Sequence, residues 1–429
     1  MPTPSRRTFL QSSVVAASAL AGSAAFAASS APVGVAVIGT GGQGKHHVSG
    51  WLSLRDVQLK YVCDVDRNHL AEAAKLAPDA KAVNDLRQVL EDDSVHAVSI
   101  ATPDHWHTPA ALLALAAGKH VYVEKPCSHN VREGRMLVEA AAKTGKLVQH
   151  GTQSRSSSWI QTAMQLLHDG AIGDVLVAKA WDVQTRANIG KAKPSSPPSE
   201  LDYEAWLGPV AFVPFQTNRH HYTWHWWHDF GTGDAGNDGV HELDIARWGL
   251  GVNRHPARVT SVGGKYFHDD DQQFPDTMTT IFEYPGDGAV GHQKQLIFEL
   301  RLWSRCQPLG FENGNEFLGT KGRLALTKRG TLQVFDERDR PKELKLPAVS
   351  GVSVPVHQQN FIDAILGRAK LNADATTAHL SASLPHFANL SVRLGRSLSI
   401  DAANEQILND LEANGMLGRK YREHWGTPG

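Results

Sequence analysis

A lysine and a histidine occur in two short segments whose chemistry is complementary. Lys125 follows an apolar run in "VYVEKP", and His241 lies in "GNDGVHELD". A lysine ammonium stabilises a developing alkoxide where water is excluded, and a histidine, with a reference pKa near ~6.5, suits the removal of a hydroxyl proton. If the second segment is helical, Asn237 and Asp238 precede His241 on the same face, by four and three residues. These residue types predict proton transfer at an alcohol.

A glycine-rich stretch, "VIGTGGQGKHH", joins the first predicted strand to the first predicted helix. It places Gly39, Gly41 and Gly44 in the G-x-G-x-x-G spacing. The first glycine permits a tight turn, the second lets the backbone approach a pyrophosphate, and the third lets the helix pack on the strand. Three further residues of the stretch are expected to face the nucleotide: Thr40, Gly42 and Gln43. The stretch predicts a dinucleotide site.

Two charged residues bear on the identity of the dinucleotide. Asp64 ends the second predicted strand, where a carboxylate accepts hydrogen bonds from the adenosine ribose hydroxyls. Because a carboxylate repels a 2′-phosphate, Asp64 favours NAD. Arg67, three residues later, could instead stack on adenine or bind that phosphate, which leaves NADP open.

The elements that position these residues follow from the hydrophobic pattern. From Val33 to about Gln149, short β-branched runs such as "VHAVSIAT" alternate with amphipathic stretches such as "RNHLAEAAKLA". This alternation indicates a parallel sheet covered by helices on both faces. Residues 33–150 are therefore predicted to form a doubly wound Rossmann domain, with ligands at the carboxyl edge of its strands.

The pattern changes after about His150. Longer apolar runs with turn signals predict an open, largely antiparallel sheet in an α+β domain at 151–429. A Pro/Ser/Gly-rich stretch at 187–200 argues against regular structure there. Two late helical segments are expected to pack back near the first domain, with Pro385 kinking or interrupting the second.

Composition restricts the partners. The chain has 429 residues, of which 20% are charged, and its net charge is -1. No basic field exists to hold nucleic acid or an anionic membrane, so a small-molecule partner is expected. The three cysteines, Cys63, Cys127 and Cys306, lie far apart and predict neither a disulfide framework nor a metal site. After the N-terminal region, no run is long and apolar enough to span a membrane.

The N-terminal region has the pattern of an export signal. Arg6 and Arg7 precede an Ala-rich, weakly apolar stretch that ends at Ala25-Phe26-Ala27, a small-x-small cleavage pattern. This resembles a twin-arginine signal covering residues 1–27, and such signals direct proteins that are already folded. An uncleaved membrane anchor is the alternative, but the stretch is far shorter than the ~20 apolar residues that a span needs. A periplasmic or otherwise exported protein is expected.

Five signatures, in order along the chain, resemble those of the Gfo/Idh/MocA oxidoreductases, a superfamily of sugar and polyol dehydrogenases. They are "IATPDHWHTPAA", "YVEKP", "LDYEAWLGP", "GTGDAGNDGVHELDIARWGL" and "HFANLSVRLGR". The resemblance implies NAD(P) on the Rossmann half, with Thr102, Pro103, His107, Glu124 and Lys125 beside it. It further implies that a substrate lies in the cleft against the second domain's sheet, and that the opposite face of this sheet mediates homo-oligomerisation, as a dimer or tetramer.

The resemblance also assigns roles. Lys125 touches the reacting hydroxyl, its peptide bond to Pro126 is often cis, and His241 is the general base. The position four before that histidine is usually an aspartate, but it is Asn237 in this chain. An amide cannot move a proton at neutral pH. Either His241 and Lys125 act without that carboxylate, or Asp238 serves from a shifted register.

Candidate substrate contacts lie in two further segments. By analogy with the family, Gln153 and Arg155 in "HGTQSRSS" lie at the cleft. The segment "NRHHYTWHWWHDFGTGD", which contains Trp224 and His225, is either a carbohydrate-facing loop or an aromatic plug at an interface. A metal site at His225 and His228 lacks a carboxylate partner, so no metal is expected.

Three functions remain open from the sequence. The first is an exported NAD(P)-dependent oxidoreductase acting on a secondary hydroxyl of a sugar, polyol or glycoside. The second is a redox-neutral enzyme that retains its NAD tightly and oxidises a ring hydroxyl transiently, as some glycosidases of the superfamily do. The third is a non-catalytic sugar-binding protein on the same fold.

Overall fold

The computed structural model describes residues 31–289, 291–343 and 351–422. The predicted export signal at residues 1–27 lies outside these ranges and stays a prediction. Within the described ranges, every helix is too short or too polar to cross a membrane.

The first sheet has six parallel strands in the order β3-β2-β1-β4-β5-β6. The strands are β1 Val33–Ile38, β2 Val57–Cys63, β3 Lys81–Val83, β4 Ala97–Ile100, β5 His120–Val123 and β6 Val148–His150. The helices between them are α1 Gly42–Leu52, α2 Arg67–Leu76, α3 Leu86–Leu90, α4 Asp104–Ala116 and α5 Val131–Thr144. Every residue of β1 is buried, as expected for a strand covered on both faces. The predicted Rossmann sheet is confirmed.

The second sheet has ten strands in the order β14-β13-β12-β11-β7-β10-β9-β8-β15-β16. They are β7 Val175–Asp182, β8 Arg258–Gly264, β9 Thr277–Tyr284, β10 Lys294–Arg301, β11 Asn313–Gly319, β12 Gly322–Leu326, β13 Leu332–Phe335, β14 Pro341–Lys342, β15 Leu398–Asp401 and β16 Gln406–Ile407. Neighbouring strands are antiparallel except for β7 and β10, which pair in parallel. The prediction of a largely antiparallel sheet is confirmed.

Seven helices accompany this sheet within the described ranges. They are α6 Ser158–His168, α7 Tyr203–Leu207, α8 Gly233–Asn237, α9 Gly239–Leu250, α10 Val354–Ile365, α11 Ala375–Leu394 and α12 Leu411–Gly415. Of the two effects predicted for Pro385, a kink or an interruption, the interruption is wrong, because α11 continues through it. The residues around Pro385 are buried, and their packing holds the helix together where one backbone hydrogen bond is missing.

The late helices join the two sheets. Phe361 and Ile362 of α10 share a buried apolar cluster with Val35 of the first sheet. Ala382 of α11 belongs to the other apolar cluster of the first sheet, while Phe387, farther along α11, packs in the core beneath the second sheet. Both helices therefore return to the first domain, as predicted, and α11 spans the two cores.

Candidate active site

A cavity of about 750 Å³ opens at the carboxyl edge of the first sheet. One wall consists of residues that follow five of its strands: Gly39, Asp64, Asn84, Thr102 and Lys125. The opposite wall comes from the second part of the chain: Tyr222, Trp224, His225, Asn237, Asp238 and His241. The cavity thus brings the glycine-rich loop and the predicted catalytic residues together.

The glycine-rich loop forms a cradle that larger side chains would fill. Gly39 has φ +82°, and a Cβ there would lie 2.7 Å from the backbone nitrogen of Thr102. A Cβ on Gly44 would lie 2.0 Å from the carbonyl oxygen of Gly39, so α1 packs directly on the end of β1. Gly41 precedes α1, and Gly41, Gly42 and Gln43 line the cavity with the helix N-terminus. This arrangement fits a pyrophosphate.

Asp64 lines the cavity and is held by the loop. Its Oδ2 accepts hydrogen bonds from the Thr40 backbone nitrogen at 2.6 Å and from Thr40 Oγ1 at 3.2 Å, and its Oδ1 accepts one from the backbone nitrogen of Asp66 at 2.9 Å. Thr40 therefore orients the carboxylate and is not among the residues that line the cavity. A carboxylate can accept about four hydrogen bonds, which leaves capacity for a ribose hydroxyl.

Arg67 does not line the cavity. Its Nη2 donates to the carbonyl oxygen of Ser199 at 2.5 Å, in the irregular stretch at 187–200. The cavity is instead lined by Arg87, which follows β3 and pairs with Asp85 at 2.7 Å. Sequence reasoning missed Arg87, although every strand end of a parallel sheet reaches the same edge.

Lys125 and Asn237 meet inside the cavity. Lys125 Nζ donates to the Asn237 carbonyl oxygen at 2.5 Å and to Asn237 Oδ1 at 3.1 Å. The peptide bond between Lys125 and Pro126 is cis, as the resemblance implies. An ammonium has three donors, so one remains for a ligand.

The segment around His241 forms two helices, although the spacing of Asn237, Asp238 and His241 was interpreted as a single helix. Helix α8 ends at Asn237 and α9 begins at Gly239, with Asp238 between them. The backbone nitrogen of His241 bonds to the Asp238 carbonyl oxygen at 3.0 Å, so the Asn237 carbonyl is available to Lys125. The break therefore shapes the lysine site.

His241 lines the cavity and is 5% exposed. Burial, aided by the charges of Lys328 and Lys125, lowers the pKa of His241 well below its usual value. The imidazole is therefore neutral at neutral pH, which is the form that accepts a proton. Its Nδ1 is buried and has no hydrogen-bond partner among the described residues.

Asp238 is held by its neighbours. Its Oδ2 accepts from Gln184 Nε2 at 2.6 Å and from Arg186 Nη2 at 2.5 Å. Burial acts to raise the pKa of Asp238, but Lys328, Lys125 and Arg186 outweigh it and hold the pKa well below the usual range. Asp238 is therefore a fixed anion, a poor candidate for carrying a proton.

Three further carboxyl groups lie beneath the cavity, and sequence reasoning missed all of them: Asp182, Asp234 and Glu242. Burial, with Asp234 and Asp238 nearby, raises the pKa of Asp182 well above its usual range. Burial also raises the pKa of Glu242, to about 7, although Lys328 lies 2.9 Å from it. Asp182 and Asp234 are separated in sequence, and only the meeting of β7 with α8 brings them together.

Glu124 connects Lys125 to the glycine-rich loop. Its carboxylate accepts from His47 Nε2 at 2.8 Å, Gln43 Nε2 at 3.1 Å and the Lys125 backbone nitrogen at 3.0 Å. Burial acts to raise the pKa of Glu124, but the hydrogen bond from His47 and the nearby lysine hold it well below the usual range. Glu124 is therefore an anion that holds the backbone of Lys125 in place.

Thr102, Pro103 and His107 all line the cavity. Thr102 Oγ1 is buried without a partner among the described residues, so it is free to bond a ligand. His107 Nδ1 lies 2.6 Å from the Pro126 carbonyl oxygen, and its Nε2 lies 2.8 Å from that of Thr102. The histidine thereby connects the loops after β4 and β5.

Gln153 and Arg155 have different surroundings. Gln153 lines the cavity, and its Oε1 is buried without a partner among the described residues. The Arg155 side chain is buried elsewhere, with Nε 2.8 Å from Asp244 Oδ2, and its guanidinium stacks 4.6 Å from the ring centre of Trp248. The structure therefore does not bring Arg155 to the cavity, because its charge is neutralised by a partner in α9.

The aromatic segment combines the two roles considered for it. Trp224 and His225 stack with ring centres 3.6 Å apart, and both line the cavity beside Tyr222. Burial lowers the pKa of His225 to about 3, so it is a neutral hydrogen-bonding group. Trp227 instead packs in an apolar cluster with Trp206. One end of the segment therefore faces the cavity and the other is a structural plug.

Two groups of imidazole and carboxylate side chains have ligand atoms within 4.8 Å of one another, in the described parts of the chain. They are Asp66 with His220 and His221, and His255 with His379 and Glu405. In the second group, Glu405 Oε1 already accepts from both histidines, at 2.8 and 2.7 Å, and from Arg135. In the first, His221 Nε2 lies 2.9 Å from Asp66 Oδ2. Protein hydrogen bonds account for these contacts.

Two family models match the chain. A model described as "Oxidoreductase family, NAD-binding Rossmann fold" matches residues 33–152. A second, described as "Oxidoreductase family, C-terminal alpha/beta domain", matches residues 178–286 and 345–427. The first sheet is thus an NAD-binding Rossmann domain.

Relatives found by sequence match about a third of the chain, whereas solved structures match most of it in fold. A glycosyl hydrolase family 109 protein of Saccharopolyspora erythraea is 35% identical over 156 residues, which are 34% of this chain and 33% of that one. An alpha-N-acetylgalactosaminidase of Shewanella oneidensis is 31% identical over 160 residues, 34% of each chain. The match therefore spans about a third of these relatives.

Among solved structures, the WlbA dehydrogenase of Bordetella pertussis, in complex with NADH and UDP-GlcNAcA, has the same fold, with a TM-score of 0.65 and 19% identity. The superposition covers 86% of this chain and 99% of that one.

Proposed function

The chain belongs to the Gfo/Idh/MocA oxidoreductase family, and from this premise we propose that it oxidises a secondary hydroxyl of a sugar, polyol or glycoside with NAD. One observation carries the proposal. A single cavity is lined by the glycine-rich loop, the Lys125 side chain and the neutral imidazole of His241. These are the groups that oxidation of an alcohol requires: a dinucleotide cradle, a cation for the alkoxide and a base.

The residues present fit NAD. Gly39, Gly41 and Gly44 leave room for the pyrophosphate at the start of α1, and Asp64 has capacity for a ribose hydroxyl. Thr102 Oγ1 and Gln153 Oε1, both buried without partners among the described residues, offer polar contacts farther along the cavity. When bound, NAD supplies the acceptor for a hydride.

Lys125 and His241 divide the remaining chemistry. The free N–H of Lys125 donates to the substrate hydroxyl and stabilises negative charge that develops on its oxygen. His241, neutral because it is buried, accepts the hydroxyl proton. His241 and Asn237, beside Lys125, are 5% and 7% exposed, and the low local dielectric strengthens the interaction of the ammonium with that charge.

The stacked pair of Trp224 and His225 suits a sugar ring. An aromatic face packs against the C–H bonds of a pyranose, and a neutral imidazole hydrogen-bonds its hydroxyls. Tyr222 and Asn237 extend this polar and aromatic wall. The lining therefore favours a hydroxyl-rich, uncharged substrate over an acyl chain.

A second candidate function is a redox-neutral reaction in which NAD stays bound. The observation that favours it is the sequence similarity to the alpha-N-acetylgalactosaminidase. A ring hydroxyl would be oxidised to a ketone, the proton on the adjacent carbon removed, and the substituent on the carbon beyond it expelled as its alcohol and replaced by water, before the ketone is reduced again on the same enzyme. Lys125 and His241 would then act in both directions.

Retention of the nucleotide separates the two candidates. We expect the protein, purified without added nucleotide, to release NAD(H) on denaturation at about one equivalent if turnover is redox-neutral, and far less if the nucleotide exchanges. Mass spectrometry of the supernatant measures this ratio and distinguishes NAD from NADP.

A substrate screen completes the test. Sugars and polyols that raise the absorbance at 340 nm identify net oxidation, whereas 4-nitrophenyl glycosides that release nitrophenol without that change identify redox-neutral turnover. A protein that neither holds nor binds NAD, NADH or NADP(H) would contradict both candidates and leave a non-catalytic sugar-binding role.

We also propose that the protein is exported and self-associates. The twin-arginine pattern supports export of a folded, nucleotide-loaded chain. Val262, Tyr266 and Phe267 are 68%, 66% and 63% exposed, and they offer an apolar surface to which a second copy can bind.

We expect the mature protein in the periplasmic fraction to begin at Ala28. Its mass in light scattering should be that of two or four chains. An uncleaved N-terminus or a monomer would contradict the respective proposal.

A further inference from the structure

Asn237 stands between a cation and an anion. Its Oδ1 accepts from Lys125 Nζ at 3.1 Å, and its Nδ2 donates to Asp234 Oδ1 at 2.8 Å. Both ends of one short amide are therefore occupied. The catalytic lysine and a buried carboxylate are linked through a neutral group.

Asp234 is fixed on both of its oxygens. Its side chain is 0% exposed, and while Oδ1 holds Asn237, Oδ2 accepts from Arg186 Nε at 2.7 Å. Arg186 is itself held by Asp238 at 2.5 Å. Burial and the nearby charge of Asp238 raise the pKa of Asp234 above its usual value, although Arg186 opposes them. Both oxygens nevertheless act as acceptors, one of the Asn237 amide and the other of the Arg186 guanidinium.

This arrangement permits one orientation of the Asn237 amide. Both oxygens of Asp234 act as acceptors in this geometry, so the NH₂ group must face Asp234. The amide oxygen then faces Lys125, which only donates. If the amide turned over, two donors would face each other at Lys125 and two acceptors at Asp234.

We propose that Asp234 is a positioning residue, which orients Asn237 so that the amide oxygen and main-chain carbonyl aim the Lys125 ammonium at the reacting hydroxyl. The inference rests on the proposed function, because it assumes that Lys125 stabilises the alkoxide. The alternative in which Asp238 serves from a shifted register is then not needed. The negative charge lies one helical turn earlier, in α8, and acts through the amide.

Other charged or titratable groups also face this network. From the first domain they are Asp104 and Glu124; from the second they are Asp182, Arg186, Tyr222, His225, Asp238, His241, Glu242 and Lys328. Tyr222 also hydrogen-bonds the Asn237 side chain, while Asp234 accepts from its amide nitrogen at 2.8 Å. A change confined to Asp234 and Asn237 leaves the rest of this set in place.

The test exchanges the two side chains. Asp234→Asn removes the charge that orients the amide, and we expect kcat on a substrate found by the screen to fall about 10- to 100-fold, because the ammonium is misdirected. The double variant Asp234→Asn with Asn237→Asp puts the carboxylate directly on Lys125, and we expect it to recover most of that loss. A merely structural role for Asp234 would not be rescued by a change at Asn237.

A second readout needs no substrate. The nicotinamide of NAD⁺ is positively charged and that of NADH is neutral, so loss of a nearby anion should weaken NAD⁺ selectively. We expect Asp234→Asn to raise the ratio of the NAD⁺ and NADH dissociation constants several-fold, because removal of one buried negative charge acts on the charged form alone, and the exchanged pair to restore it. Fluorescence titration measures both constants.

The controls separate this inference from the proposed function. Asp276→Asn makes the same change at another fully buried aspartate, which holds the backbone nitrogens of Tyr266 and Phe267, and should alter stability without changing the ratio. A wild-type protein that binds no nucleotide refutes the proposed function. An Asp234→Asn variant with wild-type kcat and ratio, or an exchanged pair that stays as impaired as the single variant, overturns the role of Asp234.

Discussion

Lys125→Met is expected to lower kcat by about 10²- to 10³-fold, the usual cost of losing one preorganised donor to a developing anion. Methionine keeps the length of the side chain and removes the charge and all three donors. Lys125 Nζ is held by two oxygens of Asn237, so its remaining N–H is directed before substrate arrives. The loss should therefore appear in kcat more than in KM.

NADH binding shows whether the site of this variant is otherwise intact. NADH binding depends on the glycine-rich loop and Asp64, so Lys125→Met should still bind NADH and show the native thermal transition. Lys119→Met is a matched control, because Lys119 is a buried lysine of the same domain, with Nζ 2.8 Å from the Asp92 carbonyl oxygen and outside the cavity lining. Unchanged kcat in Lys125→Met would remove the lysine from the mechanism.

The sequence predicts much of the nucleotide half of the site, although not the positions of Thr40 and Arg67. Gly44 is required by its close contact with the Gly39 carbonyl within one strand–turn–helix unit, whereas Gly39 is required by the chain that follows β4. The carboxyl ends of parallel strands meet at one edge, which explains why Asp64 and Lys125 line one cavity, and the family resemblance placed Thr102 with them. Here periodicity and spacing carry most of the information.

The side-chain pairings could not be predicted in this way. Arg155 stands next to a strand end, as a ligand-binding residue would, but it is neutralised by Asp244 from α9. Arg67 is likewise engaged by the carbonyl of Ser199, far along the chain. Both interactions are tertiary contacts between segments that are far apart in the sequence, and no local sequence pattern predicts them. A buried guanidinium pairs with the carboxylate that the fold places beside it.

The helix break at Asp238 is the detail on which the catalytic half depends. A regular helix would have used the Asn237 carbonyl internally, and the spacing alone suggested such a helix. The break frees that carbonyl for Lys125, and the single turn of α8 before it places Asp234 within reach of the Asn237 amide. The proposed answer to the question raised by an amide at this position therefore lies within the same motif, three residues before Asn237.

His241→Asn is expected to lower kcat/KM by about 10²- to 10³-fold, within the range for loss of a positioned general base. Asparagine keeps a polar group in the cavity wall but cannot accept a proton at neutral pH. The side chain is 5% exposed, and its Nδ1 makes no hydrogen bond to the described residues, so the substitution breaks no described contact of that atom. NADH affinity should change little.

The pH profile identifies His241 as the base. A base acts when deprotonated, so wild-type kcat/KM should fall as the pH drops through the pKa of His241. Burial lowers that pKa well below 6.5, so activity should persist at pH 6 and decline only in more acidic solution.

The residual activity of His241→Asn should not show this decline at acidic pH. Measurement of kcat/KM from about pH 4.5 to 9 tests this expectation. His120→Asn is the control, because the pKa of this histidine is also lowered by burial, to about 4, at a strand end outside the cavity lining. It should keep the wild-type profile. An acidic limb that survives in His241→Asn would mean that another group removes the proton, and the neutral His225 imidazole across the cavity would be the next to test.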